Sequence, residues 1–556
     1  MRWSNLLSST LALTGAASAA RSTRHVGNFE KRLERSGRGA SVGDDARLRT
    51  REHVHMGKRD NTTQPQFLTN STAKFVVNGT GIPDVDFDVG ESYAGSIPVT
   101  TEEAGDYLFF WFFPSTNPDA DKEILIWLNG GPGCSSLEGI LQENGPFLWQ
   151  YGTFKPVENP YSWHKLTNVL WVEQPIGTGF SQGNVTATSE EDVADQFRSW
   201  FKNFVDTFAI QGYKIYIAGE SYAGQFVPYI ASGFLDTNDT TYYDLQGIMV
   251  YDPSIAYDDL QAEITTLPFV EAWSNLFALN DTFLADIRAR DASCGYADFR
   301  EKYLQYPPTA FLPSYEDLPG INNESCYGIY NDVFNAVSLI NPCFDIYQVA
   351  TTCPVLWDVL GFPGSFEYLP EGASIYFNRT DVKLAINAPL IEWTECSEIN
   401  VFVNGDDTSL PSATTVLPGV IDRTQNVIIG HGALDMILIA NGTLLQIQNM
   451  TWGGLQGFQS TPSDPFYVPY HTDVSDSTLA GAGVFGTTIS ERGLTFVGID
   501  LSGHMVPQYA PTAAFRHVEV LLGRVSSLSS TDPFTTAIDS NVAQVASLAG
   551  ESGNFP

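Results

Sequence analysis

The sequence predicts an α/β fold: a mostly parallel central sheet flanked by helices, with one largely helical insertion. Three observations predict it. First, short runs rich in β-branched and aromatic residues end at Pro or Gly, as buried strands do, in YLFFWFFPS (107–115) and KEILIWLNGGPG (122–133). Second, two further runs of this form, VLWVEQPIGTGFS (169–181) and YKIYIAGESYAG (213–224), bracket a stretch over 190–208 whose Val193, Phe197, Trp200, Phe201 and Phe204 recur at helical spacing. Strand, helix and strand in that order make a parallel unit. Third, the same grammar returns late in the chain, in NVIIGHGALD (426–435), LTFVGIDLSGHMVP (494–507) and the helical PTAAFRHVEVLLGR (511–524).

Between these halves the composition changes. Residues 255–380 are rich in aromatic, Pro and helical patches and hold four of the six cysteines, which reads as a cap inserted into one α/β body. The body is then expected over 60–254 and 381–525, with a mobile Ser-rich tail over 526–556. No internal repeat is evident.

Residues 1–20 place Arg2 before an apolar stretch that ends in Ala17-Ser18-Ala19, the layout of a cleavable secretory signal peptide. Residues 21–59 are basic, lack apolar periodicity and close on Lys58-Arg59, which reads as a pro-segment removed near that pair. Residues 1–59 carry 12 of the 29 Lys and Arg but 5 of the 64 Asp and Glu, so the remainder has 17 basic side chains against 59 acidic ones. So acidic a body argues against nucleic acid or an anionic membrane as partner. No later run is long and apolar enough for a bilayer span. The expected location is extracellular, with a vacuolar or lysosome-like compartment as the alternative. Sequons at Asn61, Asn70, Asn78, Asn184, Asn238, Asn280, Asn323, Asn378, Asn441 and Asn449 agree with export. Six cysteines in an oxidising compartment imply three disulfides rather than a metal site, and no cofactor is called for. Oligomeric state is left open.

A serine hydroxyl becomes a nucleophile only beside a base and only if it projects from the backbone, which a tight strand-to-helix turn achieves. Gly219-Glu220-Ser221-Tyr222-Ala223-Gly224 is such a turn, although Ala223 stands where a second Gly is usual. Its strand YKIYIA and its helix QFVPYIASGFL supply the context that makes Ser221 the candidate nucleophile.

The base and acid follow by elimination along the chain order nucleophile, acid, histidine. His25, His53 and His55 lie in the pro-segment, His164 and His431 do not follow both a serine and a suitable acid, His517 sits mid-helix and His471 lies in a polar loop. His504 remains, directly after the strand TFVGID. Asp435, at the end of NVIIG, is the candidate acid, with Asp500 as runner-up. An oxyanion would need backbone donors, for which Tyr222, after the serine, and Gly131, in the loop Asn129-Gly130-Gly131-Pro132-Gly133, are the candidates.

WLNGGPGCSS (127–136), ENGP (143–146), VEQPIGTGFS (172–181), GESYAG (219–224), NRTDVKLAINAP (378–389) and GHMVP (503–507) together closely resemble the motifs of the serine carboxypeptidases, in family order, over about Tyr93 to Gly523. The sequence is most similar to the secreted fungal members. The resemblance implies an α/β-hydrolase fold and release of C-terminal residues from peptides and proteins. It also implies that Asn129 and Glu220 bind the substrate's terminal carboxylate, with Glu143 and Trp127 in the same network. Carboxylic acids can hold a carboxylate only while at least one keeps its proton, so an acidic optimum is expected. By the same resemblance Cys134 pairs with Cys396, and Met505 and Tyr222 line the substrate pocket. Cys294 with Cys326 and Cys343 with Cys353 are pairings by proximity. The acid turn departs from the family's G-D-x-D form, since Gly432-Ala433-Leu434-Asp435 stands there. An esterase or lipase with the same triad, an acyltransferase and a non-catalytic binding glycoprotein are the alternatives.

Overall fold

The computed structural model describes residues 65–537, apart from 102–103, 119, 121, 322, 324–325, 327, 362–372, 398–399 and 472–480. The expected signal peptide and pro-segment, Asn61 and the tail beyond 537 lie outside the described residues.

Eleven strands form one sheet: β1 (Val76–Val77), β2 (Ser92–Pro98), β3 (Tyr107–Phe113), β4 (Glu123–Leu128), β5 (Asn168–Glu173), β6 (Lys214–Glu220), β7 (Asp244–Tyr251), β8 (Val427–Gly432), β9 (Asp464–Val468), β10 (Gly483–Glu491) and β11 (Leu494–Ile499). Their spatial order is β1-β2-β3-β5-β4-β6-β7-β8-β11-β10-β9. The six central strands, β5 to β11 in that order, pair in parallel, while antiparallel pairs close both flanks. The central strands β4, β5 and β8 are buried at every position, which is why they read as continuous apolar runs rather than as alternation.

Helix α1 (Glu190–Phe208) spans the expected segment. Ser189 caps it by accepting the Asp192 N–H, and Phe197, Trp200, Phe201, Phe204 and Phe208 form one buried stripe against the sheet. Burial of such side chains stabilises by about 1.5–3 kcal/mol each. Helix α2 (Ala223–Thr237) starts two residues after Ser221 and contains Pro228. Pro228 has no N–H for the Gly224 carbonyl four residues back. The Ser412 hydroxyl supplies that donor instead, at 2.6 Å.

The chain between β7 and β8 carries the expected helical insertion, including α3 (Asp281–Ser293), α4 (Tyr296–Tyr303) and α5 (Ile329–Ile340). It has a small core of its own, with Phe277, Ile287, Tyr296, Phe299, Val333 and Val337, and it rests on Leu434, Met436 and Ile439 of the body. All three disulfides pair as expected: Cys134–Cys396, Cys294–Cys326 and Cys343–Cys353.

One expectation is corrected. The first part of the Ser-rich tail does not hang free: Leu528 and Phe534 are buried, and the buried Arg516 of helix α6 (Pro511–Leu521) donates to the carbonyls of Ser530 and Asp532. Apolar anchors spaced among serines escape a reading based on average composition. Among the described residues, no helix is long and apolar enough to cross a membrane.

Candidate active site

The site assembles at the C-terminal ends of the parallel strands. Strand β6 runs into Ser221, whose φ of 61° turns the chain back toward α2. The turn is fixed on both sides, because the Ser221 N–H donates to the Tyr251 carbonyl and the Ser221 carbonyl accepts from Gly224 and Ser254, all at 2.9 Å. A side chain at 219 would put Cβ 2.4 Å from the Leu128 carbonyl and 2.7 Å from the Ala223 methyl. Position 219 therefore must be glycine, whereas the methyl of Ala223 has room. That accounts for the departure from the usual two-glycine turn.

The glycine loop lies against this turn. A Cβ at Gly130 would stand 2.5 Å from the Tyr222 nitrogen and 2.7 Å from the Ser221 Cβ. The expected oxyanion donors, Gly131 and Tyr222, thus come from two backbones in close contact. The loop is held from behind by Glu173, a buried carboxyl that takes hydrogen bonds from the Ser135 hydroxyl, the Phe180 N–H and the Trp393 indole. Burial, partly offset by these donors, raises Glu173 to about 7. The Cys134–Cys396 bridge ties the same loop to the segment before β8, where Ser135 N–H and Ser397 N–H donate to the Glu395 and Gly133 carbonyls.

His504 and Asp435 meet as expected. The imidazole Nδ1 lies 2.9 Å from Asp435 Oδ2, and Asp435 Oδ1 accepts the Ile437 N–H at 2.9 Å. Both residues are buried, and His504 Nε2 has no partner among the described residues. Burial lowers the imidazole's proton affinity, but the charge and hydrogen bond of Asp435 outweigh it and leave His504 above its ordinary value. The acid turn is tight: a Cβ at Gly432 would lie 2.1 Å from the Gly503 carbonyl, so the loops that bear Asp435 and His504 touch backbone to backbone. Asp500, the runner-up, is exposed. His517 is bonded to the Tyr251 hydroxyl at 2.9 Å, His471 to Thr536 at 3.1 Å and His164 to Ser162 at 2.6 Å, which are structural placements.

A third group adjoins the serine. The Trp127 indole donates to Asn129 Oδ1 at 2.7 Å, and the Asn129 amide donates to Glu143 Oε1 at 3.1 Å and to Glu220 Oε1 at 2.9 Å. All four side chains are buried. Burial raises Glu143 to about 7 despite its bonds to Asn129 and Glu220. Glu220 is pushed well above the carboxylate range by burial and by the neighbouring Glu143 and Glu138.

Two members of the site were not visible in the sequence. The carboxyl of Glu138 lies with those of Glu143 and Glu220 in one cluster, their oxygens within 4.8 Å of one another. Residues 138 and 143 come together because Gly139–Glu143 is wound as a π-helix, in which neighbours on one face are five apart instead of four. Asp252, directly after β7, lies equally close to Asp435 and His504.

Comparison with known proteins places the chain in a family. The serine carboxypeptidase family profile matches residues 83–524. An Arthroderma benhamiae protein named "probable serine carboxypeptidase" is 56% identical over 473 residues, which cover 83% of this chain and 88% of the relative. "Serine-type carboxypeptidase F" of Aspergillus niger is 48% identical over 483 residues, covering 83% of this chain and 89% of the relative. The solved structure of a Saccharomyces cerevisiae prohormone-processing carboxypeptidase superposes with a TM-score of 0.65 at 24% identity, over 82% of this chain and 97% of that one, a likeness of fold. An α/β-hydrolase sheet, a serine on a strand-to-helix turn and a buried histidine–aspartate pair all fall within a profile that spans nearly the whole described body: the chain belongs to the serine carboxypeptidase family and is a serine-type hydrolase of peptides.

Proposed function

We propose that Ser221, His504 and Asp435 carry the reaction and that it proceeds only at a free C-terminus. Ser221 Oγ attacks the last peptide carbonyl while His504 Nε2 takes its proton, and Asp435 holds the imidazole and the imidazolium that forms. Gly131 and Tyr222 N–H groups receive the oxyanion. His504 then gives its proton to the leaving amine, which departs as a free amino acid. Water cleaves the resulting Ser221 ester by the same steps in reverse.

The observation that carries the exopeptidase reading is the Asn129 amide that bridges Glu143 and Glu220, the latter adjacent in sequence to Ser221. With Trp127 holding Asn129, this network receives the substrate carboxylate beside the nucleophile. A neutral Glu220 can donate to that carboxylate, whereas an ionised pair repels it, so the reaction is one of acidic pH. Met505, next to His504, and Tyr222 line the pocket. The signal-like leader, the disulfides and the exposed sequons support export as a glycoprotein.

The test is timed hydrolysis of one peptide as free acid and as C-terminal amide, with wild type and Ser221→Ala. Single residues should leave the free acid in sequence, the amide should be a poor substrate, and the variant should be inert. Equal cleavage of acid and amide would sink the exopeptidase reading, and an active Ser221→Ala would sink the nucleophile.

A further inference from the structure

Asp252 is buried completely, and it sits where β7 ends, at a φ of 42° that a non-glycine residue rarely adopts. The surroundings impose this placement. Its N–H donates to the Gly430 carbonyl at 2.8 Å, and its Oδ1 accepts the Gly432 N–H, also at 2.8 Å, at the start of the turn that presents Asp435. Carboxyl oxygens of Asp252 and Asp435 and a ring nitrogen of His504 all lie within 4.8 Å of one another.

Two carboxyl groups buried this close together do not both ionise, so a proton resides on one of them. The donors around them decide which. Asp435 accepts from His504 Nδ1 on one oxygen and from the Ile437 N–H on the other, an arrangement that favours its anion. Asp252 Oδ1 accepts the Gly432 N–H and lies 2.8 Å from His431 Nδ1, while its Oδ2 has no donor among the described residues. The titratable groups that face Asp252 are Asp435, His504, His431, Glu220 and Tyr251. None is Lys or Arg. His431, 2.8 Å away, is lowered to about 4 by burial and stays neutral, so it offers no compensating charge. Burial and the adjoining Asp435 accordingly push Asp252 well above the carboxylate range.

We propose that Asp252 is a positioning residue that keeps its proton and donates it, as a hydrogen bond, to the carboxylate of Asp435. Asp435 then has three donors, from His504, Ile437 and Asp252, which fix the plane of the anion and with it the tilt of the imidazole. Asp252 touches neither substrate nor serine. The inference rests on the assignment of His504 and Asp435 above.

The test uses an ester substrate, so that ionisation of Glu143 and Glu220 does not confound binding. Asp252→Asn keeps a donor at the same place, and its kcat should stay within about threefold of wild type, with the acid limb of the pH profile unmoved. Asp252→Ala removes the donor and should lower kcat by about tenfold or more at unchanged KM. The infrared difference spectrum of wild type minus Asp252→Asn, taken near neutral pH, should contain the carbonyl band of a neutral carboxylic acid. This readout holds whether or not Asp252→Ala folds. The proposal is overturned if that band is missing, if Asp252→Asn shifts the acid limb downward by about a pH unit, or if a folded Asp252→Ala keeps the wild-type kcat. An Asp435→Asn variant that retained ester turnover would instead refute the underlying assignment, whatever the band showed.

Discussion

His504 Nδ1 and Asp435 Oδ2 are 2.9 Å apart, and the loops that carry them touch at Gly432 and Gly503. The pair is thus built by backbone contact, and the opposite ring nitrogen is left unpartnered among the described residues. With Asp435 holding the Nδ1 proton, Nε2 is the basic nitrogen. Asp435→Asn should leave the fold intact and lower kcat by about ten-thousand-fold, because the amide stabilises the wrong tautomer. Circular dichroism and steady-state kinetics on the purified variant check both halves of this expectation.

Peptide binding should depend on pH in one direction. Glu143 is raised to about 7 and Glu220 lies well above the ordinary range, so both are neutral in acid. As pH climbs through about 7, the site gains negative charge and KM for free-acid peptides should rise, while KM for an ester that lacks the carboxylate stays flat. Glu143→Gln should reduce the climb. A peptide KM that does not change from about pH 5 to about pH 8 contradicts the assignment.

Stability should also fall as pH rises. Glu143 and Glu173 have an ordinary value of 4.5 and are raised to about 7 in the fold, so the native state binds more protons than the unfolded chain between those values. Their stabilisation is complete below 4.5 and lost through about 7. The buried His431 and His517, lowered to about 4 and about 3, act in the opposite sense, but only up to the ordinary imidazole value of 6.5. Above 6.5 the loss is unopposed. The melting temperature should therefore decline from about pH 6 to about pH 8, which differential scanning fluorimetry measures directly.

Glycan occupancy should follow side-chain commitment. Asn70, Asn78, Asn184, Asn238, Asn280 and Asn323 are exposed, whereas the Asn378 amide donates to the Trp393 carbonyl at 2.7 Å and its oxygen accepts the Trp393 N–H at 2.7 Å. A glycan there would break both bonds. Glycopeptide mapping should find Asn378 bare, and substantial occupancy at that site would contradict the placement.

The parts that the sequence made legible are those where one local rule decides the outcome. The stripe of α1, the strands around the glycine turns, the turn at Ser221 and the elimination that paired His504 with Asp435 rest on periodicity, turn chemistry and chain order. Strand β7 escaped because DLQGIMVY has only a short apolar run, and Gly247 interrupts its start. Asp252, which ends that strand, escaped with it. Glu138 escaped because its partner is five residues away, a spacing that marks a face only in a π-helix. The edge strand β9 and its neighbour β10 are partly exposed, which dilutes their apolar signal.

Residues 346–349, inside the Cys343–Cys353 loop, grip both catalytic loops at once: the Ile346 carbonyl accepts from Met436 and Ile437, the Val349 N–H donates to Leu434, and the Tyr347 carbonyl accepts the His504 N–H at 2.8 Å. The Tyr347 ring also packs on the imidazole, with centroids 5.1 Å apart. The insertion is therefore also a strut for the His504–Asp435 pair. A change that shifts residues 346–349 of the cap is therefore carried straight into the geometry of His504.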